Sequence, residues 1–169
     1  MRLNRSKKGF TLIELLIVVA IIGIIVAIAI PNLLNAIQRA KQKRTMGDMR
    51  TIGTAAEAYA VDNNRYPSAA GYSIPTSLAI PTTTINNSNG MQNHLSPTYI
   101  KLIPMKDGWD SYFLYTVSAT SQDYIILSAG KNGAVSVTAG NVVGPTTDFN
   151  EDIVFCDGQF MQFPDGIQQ

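Results

Sequence analysis

Glu14 is the residue most in need of a chemical explanation. It is a carboxylate inside the apolar run 10–30, and residues 15–30 carry no polar side chain at all. At membrane depth such a charge costs roughly 2.5 kcal/mol or more, so it needs a partner, a function or an escape to the headgroups. The other reactive types are sparse. Cys156 is the only cysteine and His94 the only histidine, so neither an intramolecular disulfide nor a Cys/His metal cluster can form. Cys156 reads as a small packed apolar residue, with an intermolecular bridge or a reactive thiol as the alternatives. His94 has no neighbouring ligand and reads as ordinary. There is no nucleophile motif and no Gly-rich phosphate loop, so an enzyme is not expected.

The elements that must position Glu14 follow from the hydropathy pattern. The run 10–30 would span roughly 30 Å as a helix, about one bilayer core. Arg2, Arg5, Lys7 and Lys8 precede it with no offsetting acid, which holds that end on the cytoplasmic side. An ordinary secretory signal is the competing reading. However, the apolar run is long for a signal core, and the helical pattern continues beyond it. Pro31 then predicts a kink, with or without a function. After it the pattern becomes amphipathic: Leu34, Ile37, Met49, Ile52, Ala56 and Tyr59 recur at helical spacing. The basic stretch 39–44 is either a solvated face near the membrane or a phospholipid or nucleic-acid contact. Turn chemistry at Asp62-Asn63-Asn64 predicts the helix end, giving a helix over 10–63 of about 80 Å. Its apolar half is expected to project, because too little chain remains to cover it.

Residues 64–169 should form a globular head. The segment 68–97 is rich in Ser, Thr, Asn, Pro and Gly and reads as a long surface loop, with a short helix over 94–99. Runs at 111–117 and 123–129 predict an antiparallel hairpin. Asn132-Gly133 predicts a tight turn before a strand over 134–138. Asp157-Gly158 predicts a second hairpin joining 153–156 to 159–163. The fold class is α+β, with a small antiparallel sheet packed on the C-terminal half of the long helix. With 169 residues and a net charge of +1, the chain suits one domain and has no overall pull toward nucleic acid.

Lys8-Gly9-Phe10-Thr11-Leu12-Ile13-Glu14-Leu15 matches the type IV prepilin signature, and on it the chain resembles the pilin-like family. The resemblance implies that residues 1–9 are a leader removed between Gly9 and Phe10 by a membrane prepilin peptidase. It also implies N-methylation of the new Phe10 amine, and pairing of Glu14 with the terminal amine of a neighbouring subunit. An inner-membrane platform, an assembly ATPase and minor pilins or pseudopilins are the implied partners, beside the chain itself as a helical homopolymer. The implied location is a single-pass inner-membrane subunit with its head in the periplasm. Gly9 suits cleavage because its bare backbone admits a protease.

The part from Asp107 onward resembles the major pseudopilins of type II secretion. The likeness rests on Asp107-Gly108-Trp109, the Tyr124–Gly133 segment and an acidic segment ending in Asp152-Ile153. Pseudopilins of this kind bind calcium in the loop between the last strands. The resemblance therefore implies a calcium ion held by Asn132, Asp148 and Asp152, hard oxygen donors that suit that metal. The family has an aspartate where this chain has Asn132, and a solvated acidic turn is the other reading. Many type IV pilins close this region with a disulfide, which a single cysteine cannot do. The expectation is a subunit of the type II secretion pseudopilus, exporting folded proteins. The alternative is a type IV pilus subunit for adhesion, twitching motility or DNA uptake, the last being the one case in which nucleic acid is expected as a partner. The two differ in partners and destination, not in fold.

Overall fold

The computed structural model describes residues 9–68, 83–84, 91–118, 120–137 and 144–166. The basic leader residues, most of the predicted loop over 68–97 and Thr138 lie outside them. The chain divides into two compact units, Met1–Ile37 and Gln38–Gln169. One helix, α1 (Leu12–Asn63), runs through the boundary.

In the first unit α1 starts two residues later than the hydropathy pattern suggests. Thr11 takes the capping position instead, its Oγ1 accepting the Glu14 N–H at 3.3 Å. Every residue from Gly9 to Ile37 is exposed, including Leu34 and Ile37. The apolar stripe therefore becomes a buried face only further along. The helix is long and apolar enough to cross a membrane, with a mean hydropathy of 3.2 in its most apolar window and no part of that window buried. So much bare aliphatic surface cannot rest in water, and it calls for lipid or protein around it. Pro31 sits inside the helix and has no N–H to give to the Ala27 carbonyl.

In the second unit Thr45, Met49, Ile52, Ala56 and Tyr59 are buried at the expected three-to-four-residue spacing. Of these, Met49, Ile52 and Tyr59 share one core with Phe113, Tyr115, Tyr124, Ile126, Ile153 and Phe155. Burying side chains of the size of Ile52 or Phe155 contributes about 1.5–3 kcal/mol each. Gly53 lets helix and sheet close up, since a Cβ there would lie 2.8 Å from the Tyr124 hydroxyl and would also strike the Phe155 ring. The helix ends at Asn63, as predicted. Asn64 takes the left-handed conformation (φ 55°), and the Asn63 side-chain amide donates to the Tyr59 carbonyl at 2.9 Å.

The remaining elements are β1 (Thr83–Thr84), α2 (Met91–Leu95), β2 (Leu114–Val117), β3 (Tyr124–Ser128), β4 (Gly144–Thr146), β5 (Ile153–Cys156) and β6 (Gln159–Pro164). They form one sheet in the order β1-β2-β3-β5-β6-β4. The two predicted hairpins are present. Tyr115 pairs with Ile126 across β2 and β3, and Asp157-Gly158 joins β5 to β6 with both residues at positive φ (45° and 83°). The sheet is antiparallel except for β4, which runs parallel to β6.

Two local expectations change. Residues 134–137 form no strand, because the edge of β3 that they would need is taken by β5, with Ser128 opposite Ile153. The Asn132-Gly133 turn itself is there, with Gly133 at φ 68° and the Asn132 Oδ1 accepting the Ala134 N–H at 2.9 Å. The short helix is α2, four residues shorter at its far end than the predicted span. It stops before Ser96-Pro97, where the residue preceding a proline is pushed out of helical geometry. His94 is exposed there, its ring 5.6 Å edge-on from that of Tyr59.

Candidate functional site

The chemistry expected at the N-terminus centres on Gly9, Phe10 and Glu14, and α1 gives each a defined setting. Nothing lies within 4 Å of the place where a Cβ of Gly9 would be, and Phe10 is 85% exposed. The bond between them is open to an approaching protein. Glu14 is not solitary. Its Oε2 accepts the Thr11 N–H at 2.8 Å and the Thr11 hydroxyl at 2.7 Å. Together with the Glu14 N–H on Thr11 Oγ1, this is a reciprocal capping box: two orphan N–H groups of the helix start are satisfied, and a negative charge sits at the positive end of the helix dipole. The spacing Thr-x-x-Glu carried this information, but the charge in an apolar run drew attention first. The box lowers the penalty on an unpaired carboxylate while leaving Oε1 without a hydrogen-bond partner among the described residues.

The three residues expected to hold calcium fall on two interlocked loops. Lys131 N–H donates to the Phe149 carbonyl at 2.9 Å, and Gly130 fits against the Glu151 carbonyl, where a Cβ would come to 2.5 Å. Asp148 Oδ1 accepts from the backbone and side-chain N–H groups of Asn150 at 2.9 and 3.0 Å. Asp152 is fully buried. Its Oδ2 accepts the N–H groups of Ser136 and Val137, both at 2.7 Å, while its Oδ1 has no hydrogen-bond partner. Glu151, which the sequence reading did not single out, accepts the Ser136 hydroxyl at 3.3 Å. Ser136, Asp148 and Glu151 border a cavity of about 500 Å³. No three His, Cys, Asp or Glu side chains cluster as a metal set among the described residues. The buried orphan oxygen of Asp152 is the feature that fits a cation, and Asp148 and Asn132 have side-chain oxygens on the adjoining loops.

A third constellation was recognised in the sequence only as a motif. Asp107, 3% exposed, accepts the N–H groups of Trp109 and Ser111 on Oδ1 at 2.9 and 3.0 Å, and the Ser128 hydroxyl on Oδ2 at 2.7 Å. The loop so formed reaches α1. Gly108 N–H donates to Thr45 Oγ1 at 2.9 Å, and the Trp109 indole N–H donates to Gln38 Oε1 at 2.7 Å.

Cys156 is half-buried and its thiol donates to Asp157 Oδ2 at 3.4 Å. Burial, and then the Asp157 charge, push the thiol up to about 12. It therefore stays protonated and is a poor nucleophile at neutral pH.

Comparison with known proteins agrees with the two ends of this description. Residues 4–30 match the prokaryotic N-terminal methylation motif, and residues 32–142 match the family of type II secretion system (T2SS) protein G. The chain is similar to the type II secretion system core protein G of Vibrio cholerae serotype O1, 31% identical over 81% of this chain and 82% of that one. It is similar also to those of Pseudomonas aeruginosa (30%, over 77% and 87%) and Escherichia coli K12 (28%, over 79% and 88%). Among solved structures, the major pseudopilin from the type 2 secretion system of enterohaemorrhagic E. coli is 26% identical, covering 63% of this chain and 89% of that one, with a TM-score of 0.39.

Proposed function

This chain belongs to the type II secretion system protein G family, the major pseudopilins, and from that premise we propose that its polymer drives folded proteins out of the cell. The observation that carries the reading is the pairing of a protein G match over residues 32–142 with a methylation-motif helix whose apolar length is entirely bare. Such a helix has two environments that satisfy it, a bilayer before assembly and a bundle of identical helices after it. The surface-pilus alternative has no comparable support.

In this reading a prepilin peptidase cuts the exposed Gly9–Phe10 bond, and the freed Phe10 amine is methylated. The subunit waits as a single-pass inner-membrane protein with its head in the periplasm. Glu14 then pairs through its spare oxygen with the Phe10 amine of a neighbour, which offsets a charge that hydrocarbon would otherwise isolate. An assembly platform, its ATPase and minor pseudopilins complete the machine. The role is structural rather than enzymatic. Calcium belongs to the same proposal: Asp152, with Asp148 and Asn132 on the adjoining loops, would hold it and so tie 130–137 to 148–152.

Deleting the gene and comparing released with retained proteins tests the function. Exoproteins trapped in the periplasm, with surface fibres and motility intact, are the expected result. Intact secretion with lost fibres would overturn it.

A further inference from the structure

The 107–111 loop is built as a grip on α1. Its shape comes from Asp107, whose two oxygens hold Trp109, Ser111 and Ser128 from a buried position. Its contact with the helix is unusually close: a Cβ on Gly108 would lie 2.5 Å from the Lys41 carbonyl. Two directed hydrogen bonds fix the register, Gly108 to Thr45 and Trp109 to Gln38, on helix residues seven positions and so about two turns apart. Gln38 is also where burial begins, since all described residues before it are exposed. Seven positions earlier, Pro31 removes a rung from the hydrogen-bond ladder. The missing rung joins residues 27 and 31, and from there to the grip every residue of α1 is exposed, so this part of the helix has no tertiary support among the described residues.

We propose that Trp109 is a positioning residue of the assembling subunit: its hydrogen bond to Gln38 sets the point from which α1 is held rigid and keeps bending of the helix to the residues before Gln38. The purpose assigned to that bend rests on the filament reading. A helix drawn from a bilayer into a bundle must adapt its path without disturbing the head, and a fixed stop protects the buried face from Gln42 onward. The grip itself is a property of the single subunit.

Amide hydrogen exchange on the full chain in lipid nanodiscs tests this. In the wild type, fast exchange should end at Gln38. Trp109→Phe keeps a ring but removes the donor, and should extend fast exchange through residues 38–41 by about fivefold, the scale of one lost hydrogen bond. Gln38→Leu should reproduce that result from the helix side. Gln38→Glu keeps an acceptor and should behave as wild type. The amides of β2 and β3 should not move in any of them. If Trp109→Phe loosens the whole head, the Gln38→Leu and Gln38→Glu pair decides alone. An unmoved boundary in Gln38→Leu, or Gln38→Glu opening like Gln38→Leu, overturns the proposal. Because the readout uses isolated subunits, it fails or succeeds independently of the secretion phenotype.

Discussion

Tyr124 and Glu57 meet where the sheet lies on α1, the phenolic O–H donating to Glu57 Oε1 at 2.9 Å. The tyrosine is fully buried. Burial first, and then the Glu57 carboxylate, raise its pKa far above 10, and burial does the same to Tyr115. A raised folded pKa means stability that is intact below the unfolded value and lost as pH climbs past it. Head stability should therefore hold to about pH 10 and then fall by about 1.4 kcal/mol per pH unit per tyrosine. Thermal melts from pH 7 to 11 check this. Tyr124→Phe should lower stability by about 1 kcal/mol at neutral pH and flatten the alkaline fall. An unchanged slope in that variant would count against the assignment.

Glu14→Ala should still be cut between Gly9 and Phe10 yet assemble poorly, because the carboxylate is needed only once subunits meet. Thr11→Val should be milder, weakening the capped helix start by about 1 kcal/mol. Cross-linking of membrane fractions and immunoblots of the processed form separate the two steps. Normal filaments from Glu14→Ala would dispose of the pairing idea.

Gly53→Ala should destabilise the head by about 1–3 kcal/mol, since the added methyl has to displace Phe155 and the Tyr124 hydroxyl. Gly47→Ala, two residues before Met49 but on the exposed side of the helix with nothing within 4 Å, should be neutral or slightly stabilising. Paired melting curves suffice. Equal effects of the two changes would contradict the close approach of helix and sheet.

Chelation bears on the loop pair. If Asp152 helps to hold calcium, a chelator should lower the melting temperature of the wild type, and Asp152→Asn should abolish that difference. The variant should also be less stable in the absence of the ion, because its amide is a weaker acceptor for the Ser136 and Val137 N–H groups. A wild-type melt indifferent to calcium would remove the ion from the account.

The features readable from sequence were those written in contiguous residues. The prepilin signature, the helix stop at Asn63, the stripe from Met49 to Tyr59 and the Asp157-Gly158 hairpin all have short-range patterns. What escaped was of two kinds. Val135 and Val137 look like strand residues, but a carboxylate fifteen positions away claims the N–H of Val137. Strand β4 is three residues long and contains Pro145, so no alternation announces it. The bond between Trp109 and Gln38 spans 71 positions and leaves no local trace. Thr11 and Glu14 are a different case: the spacing was plain, and a membrane argument about the same carboxylate obscured it.

The sheet ends on its shortest strands, two residues at β1 and three at β4. Pro145 and Pro164 further thin the donors along the β4 side. A long open border would be a seam along which crowded copies could stitch together permanently. Edges this short would leave crowded heads separable, so that a fibre built from them could be taken apart again.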